Sequence, residues 1–262
     1  MVGLGVVLLG LCFGSFVNAF VWRYKHKKDW VRERSQCVNC HHELAPIDLI
    51  PVISWLALRG KCRYCHKKIS IQYPLVELLT SALFLLSYFL WHQALTGINI
   101  LDFIFWLVIL TGLISLAIYD IRWMILPTKI IYTLLIIAVI LAFLNILNAR
   151  DPATVILNYI GGSLVGGGVF YLIYMLSKGK WIGGGDVRLG FLLGLIAASP
   201  LNSMLLLFMA SIIGTLVSVT LIAAKKAKRQ SLIPFGPFLI LSMIIVELQG
   251  ASIIHWYISL IS

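Results

Sequence analysis

Long apolar runs separated by short polar stretches dominate the chain. A run of about 20 apolar residues is long enough to cross the hydrocarbon core of a bilayer as a helix. Seven runs of this kind occur, at 2–22, 74–91, 98–119, 130–147, 154–176, 203–224 and 236–261. A shorter run at 187–199 is predicted to be a further span, the sixth in order. The pattern therefore predicts an all-α polytopic membrane protein with about eight transmembrane helices.

The composition excludes an ordinary soluble globular protein, because 60% of the residues are hydrophobic and only 12% are charged. The first apolar run has no basic stretch before it and no small-residue cleavage site after it, so we predict a retained helix rather than a removable signal peptide. The predicted domains are a first transmembrane helix at 1–22, a polar loop domain at 23–73 and a seven-helix transmembrane domain at 74–262.

The net charge of +11 can attract nucleic acid, but the positions of the basic residues indicate a different role. If the N-terminus is outside, every Lys and Arg except Arg150 lies on the cytoplasmic side. This arrangement requires the short run at 187–199 to cross as well. We therefore predict no nucleic-acid partner, and a membrane-lipid contact for the cluster that comprises Lys225, Lys226, Lys228 and Arg229.

Acidic residues inside or at the ends of membrane spans are costly and commonly functional. There are five: Glu77, Asp102, Asp120, Asp186 and Glu247. Asp120 closes the third span and Asp186 opens the sixth in "GGGDVRLG", so the predicted topology places both at the cytoplasmic edge. Glu77 and Asp102 fall near the entries of their spans on opposite sides, and Glu247 is predicted to be alone in the middle of the last span.

Two carboxylates held close together cannot both ionise cheaply, so they share one proton. One of them can then take a proton from water while the other polarises a carbonyl group, which hydrolyses a peptide bond without a metal or a covalent intermediate. The pattern thus predicts Asp120 and Asp186 as a catalytic pair. Gly183, Gly184 and Gly185 are candidate substrate-binding residues, because glycine lets an extended substrate backbone approach closely.

Two alternatives stay open at this point. Asp186 precedes an apolar run and can be a helix N-cap, whereas Asp120 at a helix C-terminus faces the negative end of the helix dipole and has no such explanation. A multi-pass transporter would also use intramembrane acids, to bind cations or relay protons.

The polar loop contains "CVNC" at 37–40 and "CRYC" at 62–65. Two C-x-x-C units at this separation are a strong zinc signature, because four thiolates close a tetrahedral site. We predict a structural zinc ion bound by Cys37, Cys40, Cys62 and Cys65, with His41, His42 and His66 as bystanders. Cys12, in the first span, is expected to be a buried small residue.

These motifs resemble those of the type IV prepilin peptidases. The similarity runs from "GLCFGSFVNAFVWR" through the cysteine loop and "ISIQYPLVELL" to "YDIRWMILP", "GGGDVRLG" and "IPFGPF". The chain differs from the common pattern at three places: Asp48 and Leu49 replace a Glu-Asn pair, Thr128 replaces an acidic or amide residue, and Arg188 replaces lysine. Presenilin-like proteases share the G-x-G-D motif, but their "PAL" motif is absent here.

The resemblance implies that Asp120 and Asp186 cleave the leader peptide of prepilins or pseudopilins after a glycine, at the cytoplasmic face of the bacterial plasma membrane. Many members of the family also methylate the new N-terminal amine with S-adenosylmethionine. The resemblance thus implies prepilins or pseudopilins as partners and S-adenosylmethionine as a second cofactor beside zinc.

Overall fold

The computed structural model describes residues 2–29, 32–91, 93–226, 228 and 231–261. Over these residues the chain is helical, with isolated β-bridges but no extended strand. The helices are α1 Val2–Lys25, α2 Ile53–Ala57, α3 Gln72–Leu90, α4 Ile98–Trp123, α5 Thr128–Leu147, α6 Pro152–Ser177, α7 Gly184–Ile196, α8 Pro200–Ala223 and α9 Gly236–Ile261. The predicted all-α fold is therefore confirmed.

Seven of these helices are long and apolar enough to cross a membrane, and they match the seven long apolar runs. The shorter run corresponds to α7, which has 13 residues. At a rise of about 1.5 Å per residue, α7 spans about 20 Å of a hydrocarbon core about 30 Å thick. The chain is a multi-pass membrane protein, and the crossing of α7 remains a prediction.

The starts of α6 and α8 follow directly from the sequence. Pro152 and Pro200 occupy the first turn of their helices, where the missing N–H of proline costs nothing. The side chains of Asp151 and Ser199 accept hydrogen bonds from backbone N–H groups of the first turn. These caps set where each span begins.

The structure forms two compact units, of which the first is Met1–Trp91. It contains α1, the cysteine loop, α2 and α3. Gly10 and Gly14 of α1 face α3 so closely that a methyl group added at Gly10 would lie 2.6 Å from the Cα of Ser81. Small residues four apart let two membrane helices approach in this way. Cys12 is exposed on α1, so the expectation that it is buried is wrong.

The second unit is His92–Ser262 and contains α4 to α9. The short helix α7 packs against α6 through Gly162 and Gly166 on one side and Gly190 and Gly194 on the other. A methyl group at Gly190 would lie 2.6 Å from the carbonyl oxygen of Gly166, so the two backbones are in direct contact. This contact fixes the position of α7. The domains predicted at 1–22, 23–73 and 74–262 remain a prediction.

Candidate active site

Asp120 lies in the last turn of α4 and is buried, with 5% of its surface exposed. The helix ends just beyond it, because Met124 adopts a left-handed conformation and donates its N–H to the carbonyl oxygen of Asp120. The side chain is held from another helix: Oδ2 accepts a hydrogen bond of 3.1 Å from the backbone N–H of Gly236. Asp120 is thus a buried carboxylate with one backbone donor directed at it.

Gly236 is the first residue of α9 and belongs to the "PFGPF" stretch. The positive end of the α9 dipole therefore faces Asp120. A methyl group added at Gly236 would lie 2.6 Å from Oδ2 of Asp120 and 3.3 Å from Cδ2 of Leu126. Only glycine fits here without a shift. The motif was visible in the sequence, but its contact with Asp120 spans 116 residues and leaves no local signal.

Asp186 is the third residue of α7, and Gly183 is the N-cap. Asp186 is therefore not the N-cap of α7, and that alternative is wrong. Its carboxylate accepts a backbone hydrogen bond from Gly183, as acidic residues at the third helical position often do. Asp186 is less buried than Asp120 and keeps part of its surface exposed. Asp186 therefore supports the start of α7 through this bond and remains partly accessible to solvent.

The structure brings Asp120 and Asp186 together. The two carboxylates are close enough for the charge of Asp120 to act on Asp186. Leu126, in the connection after α4, lies against the starts of both neighbouring helices, because methyl groups at Gly185 and Gly236 would each meet its side chain within 3.3 Å. The end of α4 and the starts of α7 and α9 thus meet at one point.

Two of the departures from the common family pattern are partners in the structure. Arg188 Nη1 donates a hydrogen bond of 2.9 Å to Oγ1 of Thr128, at the exposed rim of this site. The bond joins the second turn of α7 to the first residue of α5. Arg188 and Thr128 therefore form one contact between α7 and α5.

Two other intramembrane acids form a separate group. Asp102 of α4 and Glu247 of α9 interact electrostatically with each other, and both act on Tyr159 of α6. The Tyr159 hydroxyl accepts a hydrogen bond of 3.2 Å from Asn145. Glu247 is therefore not alone, contrary to the prediction.

The four predicted cysteines converge. The Sγ atoms of Cys37, Cys40, Cys62 and Cys65 all lie within 4.8 Å of one another, and those of Cys37 and Cys65 are 3.9 Å apart. A tetrahedral ion with Zn–S bonds of about 2.3 Å separates its sulfur ligands by about 3.8 Å, so the four thiols fit such an ion. The cluster can hold a metal, and in the described part of the chain no histidine joins it.

Each C-x-x-C pair lies in a turn of the same form. Cys37 N–H donates to the carbonyl oxygen of His42, and Cys62 N–H donates to that of Lys67. His41 and His66 both have φ of 56°, a left-handed conformation that reverses the chain after the second cysteine. The two turns are thus equivalent halves of one four-thiol site.

The thiols differ in acidity. Burial raises the pKa of Cys37, but hydrogen bonds with the backbone of Cys40 and Asn39 outweigh it and lower the pKa to about 7. For Cys65, a backbone hydrogen bond with Lys67 lowers the pKa, but burial and hydrogen bonds with the other thiols raise it to about 11. A metal ion must therefore displace protons from this site as it binds.

Asp48 ties the second cysteine turn to the preceding segment. Its Oδ1 accepts a hydrogen bond of 2.7 Å from Arg63 Nε, and its Oδ2 accepts bonds from the Tyr64 hydroxyl and the Ala45 N–H. Burial raises the pKa of Asp48, but the bonds from Arg63 and Ala45 outweigh burial and hold it below its ordinary value. Asp48 is therefore a charged structural link at neutral pH.

Two family models match the chain. The bacterial peptidase A24 N-terminal domain matches residues 8–91, and the type IV leader peptidase family matches residues 107–219. Among similar curated proteins are three described as prepilin leader peptidase/N-methyltransferase. The protein of Bacillus subtilis is 31% identical over 97% of this chain and 96% of its own, that of Aeromonas salmonicida 30% over 98% and 94%, and that of Pseudomonas aeruginosa 29% over 96% and 92%.

No solved structure matches the chain. The matches to peptidases cover both compact units, and the transporter alternative finds no support among them.

Proposed function

The chain belongs to the type IV leader peptidase family, and we propose that it is a membrane aspartic endopeptidase that removes the leader peptides of type IV prepilins or pseudopilins by cutting after a glycine. The observation that carries this proposal is the meeting of Asp120 and Asp186 at the ends of three helices. The printed names of the relatives support the substrate class.

The two carboxylates supply the hydrolysis. With one proton between them, the ionised carboxylate takes a proton from a water molecule whose oxygen bonds to the scissile carbonyl carbon, while the other donates its proton to the carbonyl oxygen. The C–N bond then breaks and the amine nitrogen receives a proton from the pair. Gly183, Gly184 and Gly185, beside Asp186, are the proposed site where the substrate backbone comes close.

We further propose that the N-terminus is outside and that the pair lies at the cytoplasmic face of the bacterial plasma membrane. The distribution of Lys and Arg supports this orientation. Arg229 of the basic cluster after α8 lies outside the described residues. At this face the scissile bond reaches water while the apolar helix of the substrate remains in lipid.

Zinc is the proposed ion of the four-cysteine site. Four thiolates leave no open position for water, so zinc here organises the loop and takes no part in hydrolysis. The sulfur separations support this assignment.

N-methylation of the new N-terminus with S-adenosylmethionine is proposed as a second activity, on the printed names of the relatives. Asp48 is one of the two residues that replace the common Glu-Asn pair of this loop. Its carboxylate is already hydrogen-bonded by Arg63, Tyr64 and Ala45.

Mass spectrometry of a prepilin co-expressed with this protein tests the proposal. We expect a product that lacks the leader up to the glycine, and a further gain of one methyl group if the second activity is present. An intact prepilin beside a folded, membrane-inserted enzyme would contradict the peptidase. Cleaved but unmethylated product would contradict only the methyltransferase.

A further inference from the structure

An apolar loop that spans no membrane follows the first cysteine pair. It comprises residues 46–58, which include α2, and its exposed apolar side chains are Ile47, Leu49, Ile50, Ile53 and Leu56. Ile53 and Leu56 are 63% and 60% exposed. Asp48 is the one charged residue in the segment, and Arg63 neutralises it. Such a surface is unfavourable in water.

The apolar loop is fixed to the two cysteine turns and their flanks, residues 35–45 and 59–69, which we call the cysteine module. Trp55 Nε1 donates a hydrogen bond of 3.3 Å to the carbonyl oxygen of Ile69, and its ring covers Gly60. Asp48 binds Arg63 in the second cysteine turn. These contacts therefore hold the loop to the cysteine module while its apolar side chains stay exposed.

The middle of the apolar loop is hydrogen-bonded to a transmembrane helix. Val52 donates its backbone N–H to Oε2 of Glu77 on α3 at 2.7 Å, and the Ser15 side chain of α1 also hydrogen-bonds Glu77. Glu77 is buried, with 6% of its surface exposed. Val52 is the N-cap of α2 and has φ of 62°, a strained conformation for a β-branched residue. The bond to Glu77 satisfies the N–H at this strained turn.

This bond fixes the depth of the loop. Glu77 lies five residues beyond Gln72, the first residue of α3, which is about 8 Å along the helix axis. At this level α3 exposes Leu75, Leu78 and Leu79, which face lipid in a membrane span. The backbone of Val52 thus lies near the level of these lipid-facing side chains along α3, bonded to a residue on the side of α3 that faces α1. Interfacial segments bury their apolar side chains to a similar depth, about 5–10 Å.

Basic residues flank the apolar loop on its C-terminal side. Arg59, Lys61, Lys67 and Lys68 follow it within ten residues, and all lie in the cysteine module. Positive charge next to an apolar surface matches the anionic headgroups that border the hydrocarbon core.

We propose that the apolar loop is inserted into the bilayer at the boundary between headgroups and acyl chains, with Glu77 as its tether. The cysteine module then holds the apolar loop against α3. Glu77, which takes no part in the proposed hydrolysis, then has the role of holding the loop in place. The proposal is independent of catalysis, since it concerns phospholipid and the first compact unit alone.

Photo-crosslinking in lipid nanodiscs tests the insertion. The zinc-loaded full-length protein carries p-benzoylphenylalanine at Ile53 or Leu56, and adducts with phospholipid are measured by mass spectrometry in the absence of substrate. The control position is Val38, which is also apolar and exposed but lies between two cysteines in the charged part of the module. We expect lipid adducts at Ile53 and Leu56 several times more abundant than at Val38.

Two results would overturn the proposal. Lipid adducts no more abundant than at Val38 would place the loop outside the bilayer. Adducts that form only with a co-reconstituted prepilin would make the surface a substrate-binding site. Because the readout needs no cleavage, failure of the peptidase proposal leaves it unaffected.

Two variants test the tether separately. Glu77→Gln keeps an oxygen acceptor for the Val52 N–H, whereas Glu77→Ala removes it. We expect lipid adducts at Ile53 to persist in E77Q and to fall several-fold in E77A, at an unchanged ratio of bound zinc to protein. Equal adduct yields in the two variants would show that Glu77 does not hold the loop. Loss of zinc in E77A would show that the substitution disrupts the whole cysteine module, and it would contradict a local role of Glu77 in holding the loop.

Discussion

At the scale of single residues, Asp120 and Asp186 differ in their surroundings although they form one pair. Asp120 is buried and accepts a hydrogen bond from the N–H of Gly236. Asp186 is partly exposed and accepts a backbone hydrogen bond from Gly183. Unequal surroundings separate the proton affinities of two carboxylates and so divide the acid and base roles between them. This asymmetry is what the proposed hydrolysis requires of the two carboxylates.

Gly184 offers a direct test of substrate approach. A methyl group at this position would have no neighbour nearer than 3.9 Å, so Gly184→Ala fits the free protein. If the substrate backbone passes here, cleavage by purified G184A should fall on the order of tenfold, mainly through KM, while thermal stability stays unchanged. The control is Gly168→Ala in α6, where nothing lies within 4 Å. Equal activity of G184A and G168A would exclude Gly184 from the substrate site.

Gly236 tests the support of Asp120. In Gly236→Ala the added methyl group must displace the carboxylate or the start of α9, since it would lie 2.6 Å from Oδ2. We expect kcat to fall on the order of 100-fold, because displacements of about 1 Å have effects of this size. Steady-state cleavage of a purified prepilin measures it, again with G168A as control. Wild-type kcat in G236A would contradict the proposed role of the α9 N-terminus.

At the scale of helices, several contacts fix the position of α7 in the second unit. It is too short to cross by its length alone, and it is held by backbone contact with α6 and by the bond from Arg188 to Thr128. Its start must also bring Asp186 to the end of α4. The glycines of α6 and α7 therefore help to position Asp186, one of the two proposed catalytic residues.

The cysteine loop is an independent element with its own test. Purified protein should bind one zinc ion, and Cys37→Ser should lose it and unfold the loop before it affects the aspartate pair. Zinc retention against a chelator should weaken as the pH falls through about 7, where the Cys37 thiol takes up its proton. The zinc retained after dialysis against the chelator at pH 8 and at pH 6, determined by metal analysis, measures this loss. Equal retention at both pH values, or a fully stable metal-free loop, would contradict a thiolate-bound structural ion.

Sequence patterns predict these elements unevenly, for physical reasons. The long spans are readable because each is a continuous apolar run that ends at polar residues or at proline, as at Pro152 and Pro200. The four cysteines are readable because their spacing is local. The contacts of Gly236 with Asp120 and of Val52 with Glu77 are not, because each joins distant segments through a backbone N–H that any residue other than proline carries.

At the scale of the whole molecule, the two compact units divide the chain's chemistry. The first unit holds the four thiols and the apolar loop, and the second holds both aspartates. The two family models follow the same division, since one ends at residue 91 and the other begins at residue 107.

The topology of the molecule depends on whether α7 crosses the membrane. If it does, eight crossings place the N-terminus and C-terminus on the same side, and with the proposed orientation both ends are outside while Lys225 and Lys226 lie inside. Reporter fusions at both ends and after Lys226, with activities that differ between cytoplasm and periplasm, measure this. Ends on opposite sides would show that α7 does not cross and would place the basic cluster outside.

The cleavage of a purified prepilin by Asp120→Asn and Asp186→Asn variants tests the central claim most directly. Asp102→Asn is the matched control, since Asp102 lies on the same helix as Asp120 but outside the pair. We predict that D120N and D186N are each inactive while folded and membrane-inserted, and that D102N cleaves. Near-normal cleavage by D120N or by D186N would contradict the two-aspartate mechanism.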